Sequence, residues 1–325
     1  MKAIVVTEWG TPEVMQYTTV DKPTLQSHQV IIRVVATSVN FADIKARCGN
    51  KSAGTAPPFI PGLDAAGVIE QVGDKVQHLK PGQRVIAFPH NGSYAEYVVA
   101  DESLTFAIPD SLPFDVAAAA PIVSFTAYKL LADVARLVQG ETVLIHAAAG
   151  GVGSTASQLA KLLGAGCVIG TVGNEAKRQI AFESGCDHVI CYEGTDFANE
   201  VNDITHGRGV DVILDSIAGS VSERSLECLA KYGRLVHFGN ASGAIGHFQT
   251  KDLHASCRSV LGFSLGTTRK ERPYLLRDTA NHVLRYLADK QLDIKVGARF
   301  NLAQAAAAHR LVESRNSVGK VLLTV

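Results

Sequence analysis

The chain has 325 residues, 46% of them hydrophobic, and its 31 lysines and arginines balance 31 aspartates and glutamates to a formal net charge of zero. That length exceeds one ordinary core and suggests about two domains, at ~100–200 residues each. The charge balance, with no basic stripe or acidic tail, excludes nucleic acid and anionic membrane as expected partners.

In chain order, the N-terminal MKAIVVTEWG reads as a strand, because its apolar run is too short for an export signal and lacks a small-residue cleavage site. AIVVT, VIIRVVA, GVIEQVG, RVIAF and AEYVVA follow as short β-branched runs within residues 1–120. Pro57-Pro58, Pro61-Gly62, Pro81-Gly82 and Asn91-Gly92 separate them, which implies a compact β-barrel-like domain. The run from 115 to 138 has helical composition. Strands and helices then alternate: TVLIHA, TASQLAKLL, CVIGTV, NEAKRQIAFESG, HVICY, VDVILDSI, the helical SERSLECLAKY, GRLVHFG and SVLGFSL. That alternation marks a parallel sheet covered by helices on both faces. A helix is expected near 273–290. The terminal strand GKVLLTV is expected to return to the first domain, giving a discontinuous domain of 1–122 with 291–325 and a second of 123–290. No apolar stretch reaches the ~18–20 residues of a membrane helix. The six cysteines stand apart without a CxxC pair and read as buried thiols of a cytoplasmic chain.

The stretch ETVLIHAAAGGVGSTASQLAKLLGA carries three glycines, Gly150, Gly151 and Gly153, between a strand and a helix. Gly151 to Ala156, GVGSTA, fits the dinucleotide fingerprint G-x-G-x-x-A in its required strand–turn–helix context. In this register Gly151 permits the tight turn, Gly153 lets backbone approach a pyrophosphate, and Ala156 keeps helix and strand close. The pyrophosphate would rest on the N–H groups and positive dipole end of the helix. At the tip of the next strand, NAD-preferring sites place an acid for the ribose. Here Gly170 to Gly173 carry none, and Lys177 and Arg178 follow within a turn, which points to NADPH, against which nearby Glu175 counts. Tyr192 ends the third strand and is a candidate to pack beside the adenosine phosphate.

HAAAGGVGSTASQLAKLLGA, SVNFADIKARCG and PGLDAAGVIEQVG resemble the zinc-independent quinone oxidoreductases, the zeta-crystallin-like branch of the medium-chain dehydrogenase/reductase superfamily, and the resemblance spans the chain. It implies an α/β protein with a GroES-like, β-rich catalytic domain and a Rossmann doubly wound parallel-sheet domain, usually as a homodimer. It places Asn40 at the nicotinamide end and Thr126 near the nicotinamide ribose or carboxamide. Gly150, Gly151, Val152 and Gly153 match the pyrophosphate turn. Gly173, Lys177 and Tyr192 match the 2′-phosphate pocket. Ser216, Phe238 and Gly239 match strand ends lining the cofactor, and Phe263 and Leu265 match the segment that holds the carboxamide.

Zinc-dependent relatives have Cys where this chain has Asn40, and His-Glu where it has Leu63-Asp64. Asp43 and Asp64 without His or Cys beside them make a poor zinc site, so no metal is expected. Several relatives carry tyrosines where this chain has Lys45, Arg47 and Lys51; a negatively charged substrate and a plain basic loop both fit. The expected function is NADPH-dependent hydride transfer to a quinone. The alternatives are reduction of a conjugated C=C in an enal, enone or enoyl thioester, with Lys45 as candidate proton donor, and non-catalytic NADPH binding of the crystallin kind.

Overall fold

The computed structural model describes residues 1–49, 56–90, 92–192 and 194–325, so Lys51 and Asn91 lie outside the described residues. The chain divides into two compact units, Met1–Ile122 with Thr267–Val325, and Val123–Gly266. The second crossing falls at Thr267 rather than at 291, so the helix Leu276–Ala288 goes with the first unit. Its apolar stripe, Leu276, Ala280, Val283 and Leu287, is buried, and the turn Pro273–Leu275 before it packs on the turn Glu102–Leu104.

In the first unit, β1 (Lys2–Val6) pairs antiparallel with β2 (Met15–Thr19). The main sheet is built on β3 (Gln29–Val39), which pairs antiparallel with β4 (Ala65–Val72); β4 pairs with β5 (Arg84–Ala87), which reaches β7 (Thr105–Ala107), while β6 (Tyr97–Asp101) lies beside β3. Val30, Ile32 and Val34 alternate along β3 and bury one face against Ile69, Val85 and Val98, the period-2 pattern of a half-covered sheet.

In the second unit, β8 (Thr142–Ile145), β9 (Cys167–Val172), β10 (His188–Cys191), β11 (Val210–Asp215), β12 (Leu229–His237) and β13 (Ser259–Gly262) form one parallel sheet in the order β10-β9-β8-β11-β12-β13. That order reverses between β8 and β11, the crevice where doubly wound sheets bind ligands at their strands' carboxyl ends. The expected helix over SERSLECLAKY stops early: helix runs Ser220–Ser225, a short turn ends at Cys228, and Leu229 already pairs with Val210 in β12. Burial of Leu229 and Ala230 in the sheet outweighs the helical composition of the segment. The helix Phe197–Ile204, capped by the Asp196 carboxylate on two N–H groups, was not anticipated.

The chain returns to the first unit with β14 (Val296–Asn301) and β15 (Lys320–Thr324), which are parallel. β15 also pairs antiparallel with β3, Val321 opposite Val39. Among the described residues no helix is long and apolar enough to cross a membrane.

Candidate functional site

In the second unit, β8 is buried along its whole length and ends at His146. The chain reverses through Ala147, in the left-handed region at φ 54°, and the helix Gly151–Leu162 starts from Gly150 as its N-cap. This corrects the register read from sequence. A Cβ on Gly153 would lie 2.2 Å from the Ala147 carbonyl oxygen and 2.7 Å from the Ala148 Cα. Gly153 is therefore the close-packing glycine of the fingerprint, the position first given to Ala156. Ala147, not Gly151, supplies the unusual backbone of the turn. Gly150 is exposed, Gly151 and Val152 are half-buried, and Gly153 is buried. The N–H groups of the helix's first turn have no intrahelical acceptor, the local chemistry that favours an anion, and Gly151 and Val152 lie in that turn.

At the tip of β9, Gly173 is exposed and a Cβ there would meet nothing within 4 Å, so nothing in the protein itself requires glycine. Arg178 is engaged by Glu175 at 3.1 Å and by the Val189 carbonyl at 2.5 Å. Glu175 is thereby paired with Arg178, and Lys177 lies half-buried between them in sequence.

Tyr192 joins a hydrogen-bonded chain that the sequence reading did not anticipate. Thr171 Oγ1 lies 2.7 Å from its hydroxyl, His146 Nδ1 lies 2.7 Å from the same oxygen, and His146 Nε2 lies 2.9 Å from Ser225 Oγ, which reaches the Val221 carbonyl at 2.6 Å. One proton arrangement satisfies the whole chain: Thr171 donates to Tyr192, Tyr192 to His146, His146 to Ser225, and Ser225 to the carbonyl. Burial depresses the His146 imidazole to about 4 against the opposing charge of Asp215, so it is neutral as this scheme requires. The Tyr192 hydroxyl is bonded within this chain of donors and acceptors, and its ring packs beside core residues that include Phe197.

At the carboxyl ends of β11 and β12, a Cβ on Gly239 would lie 3.1–3.3 Å from Ser216, so this glycine lets two strand ends close together. Phe238 N–H donates to the Asp215 carbonyl at 2.9 Å, and Phe263 N–H to the His237 carbonyl at 3.0 Å. The sequence reading missed Asp215. Its buried carboxylate accepts from Ile217 N–H at 2.7 Å and from the Ser222 hydroxyl, and His237 Nδ1 lies 3.3 Å away. Thr126 and Leu265 are buried and Phe263 is half-buried in the same unit.

In the first unit, Asn40 caps the helix Phe41–Arg47 and lies in a buried polar cluster. Its backbone N–H donates to Asp43 Oδ2 at 2.8 Å; its Nδ2 is 3.2 Å from both Asp64 Oδ1 and Ser38 Oγ; its Oδ1 accepts from Lys320 Nζ at 2.6 Å. Asp64 also accepts from Ser38 Oγ at 2.8 Å and from Ile122 N–H at 3.2 Å. Tyr94 hydroxyl reaches Asp43 Oδ2 at 3.3 Å and His309 Nε2 at 3.1 Å. Burial raises Asp64 and Asp43, the latter to about 7, with Lys320 opposing both shifts. Neither Lys320 nor Asp64 was singled out for this role by sequence reading. Lys45, half-buried, lies with its ammonium 5.4 Å over the Phe41 ring, and burial lowers its pKa.

These donors do not suit zinc. The Asn40 oxygen is taken by an ammonium, the Asp64 carboxylate by three N–H or O–H donors, and Leu63 offers only its backbone. Among the described residues no three of His, Cys, Asp and Glu converge.

Residues 151–281 match the family model described as zinc-binding dehydrogenase, and residues 26–110 the alcohol dehydrogenase GroES-like domain. A probable quinone oxidoreductase of Schizosaccharomyces pombe is 34% identical over 98% of this chain and 95% of its own length. A synaptic vesicle membrane protein VAT-1 homolog of Danio rerio is 33% identical, over 93% of this chain and 65% of that protein. Among solved structures, Escherichia coli quinone oxidoreductase complexed with NADPH superposes with a TM-score of 0.91 at 32% identity, covering 100% of each chain.

Proposed function

The chain belongs to the zinc-independent quinone oxidoreductase branch of the medium-chain dehydrogenase/reductase superfamily, and on that footing we propose that it reduces a small quinone at the expense of NADPH. The observation that carries the reading is the start of the helix Gly151–Leu162. It presents N–H groups for a pyrophosphate, beside a β9 tip that has an open glycine, a lysine and an acid, Glu175, paired with Arg178.

Bound NADPH supplies the hydride. The N–H groups of Gly151 and Val152 bind its pyrophosphate, and Lys177 pairs with its 2′-phosphate. Ser216, Phe238, Gly239, Phe263 and Leu265 line the strand ends that orient it, with Thr126. Asn40 belongs to the reacting end. A reduced quinone leaves as a weakly basic oxyanion, so water suffices as proton source and no dedicated acid is needed.

Reduction of a conjugated C=C is the second reading. It needs a proton at the α carbon, which a placed donor favours. Lys45, with its lowered pKa, is the residue that fits. A cytoplasmic homodimer goes with either reading, and scattering mass in solution checks the dimer.

The test is anaerobic NADPH oxidation with a para-quinone and, in parallel, a trans-enone of similar size. Fast turnover of the quinone alone is the expected result. Preference for the enone moves the activity to alkene reduction, and NADPH binding without turnover of either moves it to a crystallin-like role.

A further inference from the structure

Asn40 is the polar side chain assigned to the reacting end, and an amide is useful there only if its orientation is fixed. Its two ends differ by one proton pair: the oxygen accepts and the nitrogen donates. In the first unit these ends meet groups of opposite kind. Lys320 Nζ, 2.6 Å from Oδ1, is an ammonium that can only donate. Asp64 Oδ1, 3.2 Å from Nδ2, belongs to a carboxylate that can only accept while ionised. A flipped amide would set its N–H groups against the ammonium and its oxygen against the carboxylate, losing both bonds at once. Ser38 tightens the choice, since its hydroxyl donates to Asp64 Oδ1 at 2.8 Å and so presents lone pairs to Asn40 Nδ2 at 3.2 Å.

Lys320 is held for this task. Its Nζ also donates to the Val39 carbonyl at 3.2 Å, and the residue is 5% exposed. The antiparallel pairing of β15 with β3 brings the residue next to Val321 beside the end of β3, one residue before Asn40. We propose that Lys320 is a positioning residue that locks the Asn40 amide with its oxygen inward, so that any hydrogen bond Asn40 makes to a reacting group is made by its N–H. An N–H there stabilises negative charge as it develops on a quinone or enone oxygen.

The proposal rests on the assignment of Asn40 to the reacting end, so the test has one arm that needs no turnover. Removing Lys320 alone leaves buried Asp64 without its counter-charge and endangers folding. The comparison is therefore D64N/K320Q against D64N/K320M, which share size and charge. Only the first keeps a donor that can reach Asn40 Oδ1.

With equal melting temperatures and equal NADPH dissociation constants, D64N/K320Q is expected to have a kcat about tenfold above D64N/K320M on whichever acceptor the wild type reduces, the effect of one lost transition-state contact. Equal kcat values at equal stability overturn the proposal, because charge balance alone would then explain Lys320. The second arm is the side-chain amide NMR of the wild-type protein, with Asn40 assigned by its loss in N40S. Two resolved, slowly exchanging N–H resonances are expected. A pair that exchanges with solvent as fast as the amides of exposed asparagines overturns the proposal whether or not any acceptor is turned over and whether or not the double variants fold.

Discussion

Lys177 and Arg178 are adjacent cations at the junction of a short turn and a helix. Arg178 is committed to Glu175 and to the Val189 carbonyl, so the acid that weakened the case for NADPH is already neutralised within the protein. Lys177→Glu should therefore raise the KM for NADPH by at least about tenfold, the loss of one charge-assisted contact, and change that for NADH little. Steady-state titration of both nucleotides checks this, and equal effects on the two would move the phosphate site elsewhere. Residue identities were legible here because the absence of an acid at a strand tip is a local fact. Tyr192 shows the limit. Its place in sequence put it at the end of β10, yet its hydroxyl direction is set by His146 and Thr171, which come from two other strands.

At the scale of elements, the alternation of strands and helices after residue 140 was legible, since apolar runs of strand length between helical stretches leave few other readings. The register of the glycine turn was not. Three glycines in four positions can be laid on the fingerprint in two ways, and the deciding feature is an alanine, Ala147, in a backbone region that sequence reading reserves for glycine. The geometry separates the glycines by experiment. Gly153→Ala drives a methyl into the Ala147 carbonyl at 2.2 Å, so the helix must lift from the turn, at a cost of ~1–3 kcal/mol by the overpacking precedent. It should lower the melting temperature and weaken NADPH binding together. Gly173→Ala meets nothing within 4 Å and should leave the melting temperature within about 1 °C, as an unconstrained surface change does. Calorimetry with a fluorescence titration of NADPH distinguishes the two; a stable Gly153→Ala protein with full affinity would refute the register assigned to this turn.

At the scale of the whole molecule, the polar cluster of the first unit was the least legible part. Its members sit near residues 38–47, at 64, at 94, at 309 and at 320, and no spacing rule links them; only the pairing of β3 with β4 and β15, and the seating of the helix Ala305–Glu313, brings them together. The cluster leaves a signature on stability. Burial raises the Asp43 carboxyl to about 7 from its ordinary 3.8, with the Asn40 N–H, Lys320 and Tyr94 opposing and Asp64 adding to the shift. Between those values the folded chain holds a proton that the unfolded chain has lost, so this group makes stability fall as pH rises through the window. His309 acts in the other direction. Burial first, then the charge of Arg47, depresses it to about 3 from 6.5, so the unfolded chain takes up a proton that the folded chain refuses, and stability rises with pH across that range. The two slopes overlap and partly cancel in the wild type. Asp43→Asn removes only the falling one. Relative to wild type, the variant's melting temperature should therefore climb as pH goes from about 4 to about 7, by roughly 5 °C over the window, and then hold constant. Scanning calorimetry of both proteins at half-unit pH intervals checks this, and a difference that stays flat across the window would mean that Asp43 is ionised in the folded chain throughout, with Lys320 rather than a retained proton answering its charge.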